Sequence, residues 1–276
     1  MIVLFGGVIY PEGIHFFDEF ISSINEQSYE EFSLLLINDG IDDTVINTSI
    51  KPKIDRNYTI IDNERGLNPN DLRVMLMLEA KDRGADLLII GDSDDKFSID
   101  RVSSVVKEYE KRTDFSFFYN DLRFFDGTRA MPDMPRMTLE SDELVNYNYL
   151  GLSNTTLVLR DIDCGFLNSL FGSKDYAFDW YLYARLLEDG KRGHYIPATT
   201  YYRIYDGNMV GNLTRTEADI QKEIDVKVKH YQEMAKNSEK YVTFVRKYKE
   251  GDFEENISRD GYYYWWNYLR MKGDLR

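Results

Sequence analysis

The 276-residue chain carries 34 Lys and Arg against 48 Asp and Glu, a net charge of −14, and is 43% hydrophobic and 14% aromatic. That balance suits a folded protein with a sizeable core, and it excludes a disordered tail or a nucleic-acid binder built on a basic face. Three histidines and a single cysteine, Cys164, argue against a His-rich metal centre and exclude an internal disulfide framework.

The opening "MIVLFGGVIY" is apolar, lacks a basic leader and is too short to span a bilayer, so it reads as the first strand of a soluble protein of a reducing compartment. "PEGIHFFDEFISSINEQSY" places Phe17, Phe20, Ile21 and Ile24 at helical spacing. "FSLLLINDG" follows as a buried strand stopped at Asp39-Gly40, and "YTIID" as a short third strand. "NPNDLRVMLMLEAKDRG" predicts a helix with Leu72, Met75, Leu76 and Ala80 inward and Gly84 at its stop. In "ADLLIIGDSDDKF" the unbroken run Leu87 to Ile90 reads as a central strand covered on both faces. "SIDRVSSVVKEYEKR" is a further helix, with Ser98 as N-cap and Val102, Val105, Val106 and Tyr109 facing in. This β-α-β-β-α-β rhythm predicts an α/β fold, a largely parallel sheet with helices on both faces.

Beyond it, "DFSFFYNDLRFF" reads as a strand or hairpin, and residues 126–150, polar and holding Pro132 and Pro135, as a functional loop rather than core. "NTTLVLR" returns as a strand, "DWYLYARLLEDG" is a helix closed by Gly190, and "RGHYIPATTYYRIYDG" gives strands. From Thr214 the chain turns charged, Tyr-rich and helical without a buried-strand signal, which sets a boundary near residue 213 between a domain of residues 1–213 and an extension of 214–276. In "GYYYWWNYLR", Tyr262, Trp265, Trp266 and Leu269 fall on one helical face. That face packs against the first domain, forms a homodimer, or makes a peripheral membrane contact.

The chemistry concentrates where the central strand ends, at Asp92, Asp94 and Asp95. Open α/β sheets place their ligands at that end. Two carboxylates about 6 Å apart repel by roughly 3 kcal/mol at an effective dielectric near 20, against roughly 0.7 kcal/mol in water. The cluster is therefore either a solvated turn or a site that expects a cation. A calcium loop of the EF-hand type fails, because Lys96 and Phe97 stand where it needs an oxygen ligand and a glycine. A Mg²⁺ or Mn²⁺ ion serving a nucleotide diphosphate fits, since it takes one or two carboxylates and completes its shell with phosphate and water.

Three stretches together resemble the family-2 type GT-A glycosyltransferases: "FISSINEQSYEEFSLLLINDGIDD" the N-terminal nucleotide block, "GDSDD" the D-x-D motif, and "DYAFDWYLYARLLEDGKRGHYIPATTYYRIYDGNM" the acceptor-side block. The resemblance spans most of residues 2–210. It implies a GT-A fold and transfer from a nucleotide-diphosphate sugar to a saccharide or lipid-linked acceptor hydroxyl, in surface polysaccharide or glycoconjugate synthesis. Residue by residue, it implies that Asp39 accepts a hydrogen bond from the nucleobase, most naturally uracil. Asp92 would hold the ribose or a metal-bound water, and Asp94 would ligate Mn²⁺ or Mg²⁺. Asp95 would trim the turn or face the sugar. Asp179 aligns with the general base, with Arg185 and Gly190 at the family's offsets, although Phe178 replaces the first residue of the usual Glu-Asp pair. Arg73-Val74 is the nearest match to the family's Arg-Asn pair and offers Arg73 as a phosphate contact, and Tyr205 stands where the family frequently has His.

Each residue also has a plainer reading: Asp39 as a turn residue before Gly40, and Asp179 as a helix N-cap. The alternatives at this level are an inactive nucleotide-sugar-binding protein or a metal-dependent nucleotidyltransferase. The absence of a Gln-x-x-Arg-Trp motif and of a transmembrane stretch points to transfer of a single sugar by a cytoplasmic protein, peripheral at the inner membrane face if membrane-associated at all. Segments 126–150 and 205–215, the latter with Gly207 and Gly211, are expected lids.

Overall fold

Side chains alternate across a strand, and here the alternation decides two cores. Leu35, Ile37, Leu88 and Ile90 join one apolar cluster, while Leu34, Leu36, Leu87 and Ile89 join another on the opposite face. The chain is seen as a computed structural model that describes residues 1–131, 134–140, 142–173, 177–205, 216–255 and 266–272.

The first half contains β1 (Val3–Ile9), α1 (Phe17–Asn25), β2 (Ser33–Asn38), the short α2 (Asp43–Val45), β3 (Tyr58–Asp62), α3 (Pro69–Asp82), β4 (Leu87–Ile90), β5 (Lys96–Phe97) and α4 (Arg101–Lys111). The second contains β6 (Phe117–Phe124), β7 (Thr138–Leu139), β8 (Thr155–Val158), α5 (Cys164–Ser169), α6 (Phe178–Glu188) and β9 (Gly193–Tyr202), then α7 (Glu217–Ala235), α8 (Lys240–Glu250), β10 (Phe253–Glu255) and β11 (Leu269–Met271). Among the described residues the main sheet runs β3-β2-β1-β4-β8-β6-β9-β5, with β7 also on β9. The β3-β2-β1-β4 half is parallel, whereas β8 inserts antiparallel between β4 and β6. The sheet is thus mixed rather than largely parallel, and the expected α/β architecture with helices on both faces stands.

Helix α1 buries Phe17, Phe20, Ile21 and Ile24 on one face together with Val102, Val105 and Val106 of α4. On the other face α3, α6 and the C-terminal helices share one cluster. Trp180, Tyr181 and Tyr183 of α6 are all buried.

Several expectations need correction. In α3 the buried side chains are Leu72, Val74, Leu76, Met77 and Ala80, with Met75 only partly covered. Asp100, not Ser98, precedes α4; the Ser98 hydroxyl instead accepts the Thr199 N–H at 3.0 Å, because β5 pairs with β9 just upstream. Segment 126–150 is not a surface loop: Ala130, Met131, Met134, Leu139, Leu144, Val145 and Leu150 are core residues. The extension is not purely helical, since β10 and β11 form an antiparallel pair. Its aromatic run does not continue as a helix, for Trp266 has φ 69° and Leu269 lies in β11. Tyr262, Trp265, Gly207, Gly211 and the boundary at 213 lie outside the described residues.

Candidate active site

A cleft of about 490 Å³ opens beside the C-terminal ends of β1, β2 and β4, and Asp39, Arg73, Asp92, Asp94 and Asp179 all line it. The five residues come from two turns and two helices, and the fold brings every one of them together.

Asp39 follows β2 in a turn that its neighbour builds. Buried Asn38 accepts the Ile41 N–H at 2.9 Å and donates to the Ile41 carbonyl at 2.9 Å and to Asp62 Oδ1 at 2.8 Å. Gly40 takes φ 91°, a conformation other residues adopt at a cost. Asp39 Oδ1 accepts from Asn63 Nδ2 at 2.7 Å, so a side chain after β3 fixes the carboxylate's orientation.

At the end of β4 the backbones come very close: a Cβ on Gly7 would lie 2.6 Å from the Gly91 carbonyl oxygen. The Asp92 N–H donates to Ser153 Oγ at 3.2 Å, and its carboxylate lies 3.9 Å from Arg73 Nη2. Burial, and then the neighbouring Asp92 charge, lift the Asp94 carboxyl to about 6, against the Tyr205 hydroxyl that bonds to it. Tyr205 in turn meets the Tyr10 hydroxyl at 3.3 Å. Asp95 does not line the cleft; it is buried, and its Oδ1 accepts the Arg203 N–H at 3.0 Å. Burial and its two acidic neighbours hold it well above the ordinary carboxylate range. It trims the turn.

Arg101 supports this corner. Fully buried, it donates to the carbonyls of Ser153 at 2.6 Å, Thr155 at 3.0 Å and Ile90 at 3.2 Å, bracing the end of β4 against the start of β8. Arg203 closes the other side: its Nε donates to the Asp94 carbonyl at 2.8 Å, and its guanidinium lies 4.2 Å from the Phe125 ring centroid.

Asp179 sits in the first turn of α6, two positions after Ala177, which occupies the N-cap without a side-chain bond. It is therefore not the cap. Its Oδ1 accepts the Trp180 N–H at 3.0 Å, and burial lifts its carboxyl to about 6 while Arg73 pulls the other way.

Sequence reasoning missed Arg101, which its place in an amphipathic helix start disguised as a surface residue. It also missed Tyr10, Asn148 and Ser153 on the cleft wall, and it assigned Trp266 to a packing face rather than to that wall. None of these carries a local signal, because each depends on contacts across the sheet.

A family model described as glycosyl transferase family 2 matches residues 8–166, more than half of the chain. Solved structures of S. aureus TarS share the fold: residues 1–349 in complex with UDP-GlcNAc at TM-score 0.57 and 11% identity, covering 83% of this chain and 66% of that one. A longer TarS chain matches at TM-score 0.57 and 15% identity, over 85% of this chain and 40% of that one. The chain thus spans less than two thirds of these TarS chains. A mannosyltransferase from Pyrobaculum calidifontis, PcManGT in complex with GDP-Man and Mn²⁺, matches at TM-score 0.52 and 12% identity, covering 90% and 68% of the two chains. No curated protein matches by sequence. At such identities the structural likeness speaks for the fold, and the sequence pattern speaks for the family: the chain belongs to glycosyl transferase family 2.

Proposed function

We propose that the chain moves one sugar from a UDP-linked donor to a saccharide or lipid-linked acceptor hydroxyl with inversion at the anomeric carbon, aided by Mn²⁺ or Mg²⁺. One observation carries the reading: Asp39, Asp92 and Asp94 meet Asp179 in a single cleft. A UDP-GlcNAc complex among the similar folds supports the choice of nucleotide.

The donor set suits a hard cation. Among the described residues no three His, Cys, Asp or Glu side chains gather at one point. Asp94, with Asp92 directly or through water, would therefore hold the ion, and diphosphate oxygens and water would complete its shell. Burial, and after it the Asp92 charge, raise Asp94, and a bound cation would offset both. When bound, the ion supplies Lewis-acid neutralisation of the departing diphosphate.

The chain's own residues do the rest. Asp39, oriented by Asn63, accepts from the base, and Arg73 presents a guanidinium to the phosphates. The acceptor oxygen attacks the anomeric carbon from the face opposite the diphosphate. Its proton passes to Asp179, and the electron pair of the broken bond leaves with the nucleotide. A carboxyl near 6 is mostly ionised at neutral pH yet more basic than an ordinary aspartate, as a general base requires. Among the described residues no helix is long and apolar enough to cross a membrane. For a lipid-linked acceptor the chain would act peripherally at the inner face of the membrane, or as a homodimer through its C-terminal helices.

The test is a thermal-shift panel of UDP- and GDP-sugars with and without Mn²⁺, followed by turnover with the ligand that stabilises most. A metal-dependent shift with UDP-sugars is expected. Equal shifts with EDTA, or none with any nucleotide sugar, would overturn the reading.

A further inference from the structure

Trp266, 6% exposed and otherwise packed in the larger apolar cluster, lines the same cleft as Asn148, Phe178 and Asp179. It is also a non-glycine residue with positive φ, at 69°, where a bulky aromatic is a genuine outlier. Such strain persists only where the surroundings over-determine it.

Here they do. The next residue, Asn267, is 4% exposed and clasps the Asn148 backbone at two points: its Oδ1 accepts the N–H at 2.9 Å and its Nδ2 donates to the carbonyl at 2.6 Å. Two residues further on, the Leu269 N–H donates to Glu223 Oε1 at 2.8 Å, and its carbonyl accepts from Lys227 Nζ at 2.7 Å. Glu223 and Lys227 are both fully buried in α7, 3.9 Å apart. Taking two charges out of water is a large penalty for a packing role alone. A strained backbone, a two-point amide clasp and a buried ion pair all converge on one short segment, and its aromatic ring borders the cleft.

The sheet order says which part of the cleft this is. Asp39 lies at β2, on one side of β4, whereas Asn148 leads into β8 on the other side, where α6, which carries Asp179, also packs through the Tyr183 hydroxyl on Thr155 Oγ1 at 2.5 Å. The indole, tied through Asn267 to Asn148, therefore stands on the β8 side of the cleft, across β4 from Asp39. An indole offers a rigid apolar surface with one N–H, a match for the C–H face and hydroxyls of a pyranose ring.

We propose that Trp266 contacts the sugar ring of a saccharide acceptor beside Asp179, with Asn267 and the Glu223–Lys227 pair as positioning residues that aim it. This rests on the reading of Asp39, Asp92 and Asp94 as the donor site, and the test separates the two. Binding of a panel of methyl glycosides (glucoside, galactoside, mannoside and N-acetylglucosaminide) to the full chain is measured by saturation-transfer NMR with UDP and Mn²⁺ present, and UDP affinity is measured by calorimetry. Trp266→Ala is expected to weaken the best glycoside tenfold or more while UDP affinity changes less than twofold. Trp266→Phe should recover most of the loss. Asn267→Ala, which leaves the ring intact, should weaken the glycoside by a smaller factor with UDP again unchanged. Unaltered glycoside binding in Trp266→Ala, a parallel loss of UDP in both Trp266 variants, or no glycoside binding to the wild type overturns the proposal. Failure of the wild type to bind UDP instead overturns the donor reading beneath it.

Discussion

The indole of Trp180 and the imidazole of His230 stack with centroids 4.0 Å apart and planes 14° apart. Trp180 follows Asp179 directly, and its Nε1 donates to the Leu144 carbonyl at 2.6 Å, so helix α7 buttresses the turn that carries the proposed base. Val226, Tyr231, Met234, Tyr241 and Tyr248 extend the same apolar cluster. Burial of each contributes roughly 1.5–3 kcal/mol before entropy is subtracted. A chain ending at Asn212 is therefore expected to be insoluble or to melt at least about 10 °C lower, although every proposed catalytic residue remains. His230→Ala should show a milder loss of about 1–3 kcal/mol in urea unfolding. A shortened chain as stable as the parent would make the extension a peripheral arm.

Nucleotide binding should depend on a cation. UDP affinity measured by calorimetry is expected to fall at least tenfold when Mn²⁺ is replaced by EDTA. Asp94→Asn should abolish that difference with circular dichroism unchanged. Retention of metal-enhanced binding in Asp94→Asn would move the ion elsewhere.

Asp179 links activity to pH in one direction and stability in the other. With its carboxyl near 6, transfer should rise with pH through about 6 and then level off. Asp179→Asn should lower turnover by about 100-fold or more while sparing UDP affinity. The folded-state value lies above the unfolded 3.8, so the carboxyl's stabilising contribution is full below 3.8 and is lost as pH rises through about 6. Asp179→Asn should therefore melt higher than the wild type at pH 7.5, by about 1–2 kcal/mol after allowance for partial exposure, and show no such gain near pH 3.5. A wild-type turnover rate in this variant would show that the base lies elsewhere.

Gly7→Ala tests the contact beneath the acidic turn. The added methyl would meet the Gly91 carbonyl oxygen at 2.6 Å, a backbone atom with no rotamer to yield. Overpacking of this kind costs about 1–3 kcal/mol. Because Gly91 precedes Asp92, metal-dependent UDP affinity should fall along with stability. Loss of stability alone would separate the strand contact from the site.

The parallel half of the sheet was legible because Leu34 to Ile37 and Leu87 to Ile90 are long buried runs between turn signals. The carboxylates Asp39, Asp92 and Asp94 were legible because they follow those runs directly. By contrast β5, β7, β10 and β11 are two or three residues long and carry no period. Segment 126–150 looked polar because its buried residues, such as Met131, Leu139 and Leu144, are spaced irregularly among charged ones. Trp266 and Leu269 share a helical spacing by coincidence; what fixes them is Asn148 and Glu223, which no local window contains.

The Asn148–Asn267 clasp joins residues 119 positions apart. Contacts of that sequence separation form late in folding, since a long loop must be closed before they return any stabilisation. The Rossmann-like half closes shorter loops: β1–β2 pairs Leu4 with Ser33, β2–β3 pairs Leu34 with Tyr58, and its longest pairing, β1–β4, joins Val3 to Leu87. Refolding should therefore assemble the nucleotide end first and the acceptor end last, with a phase in which the chain captures UDP before it can transfer sugar.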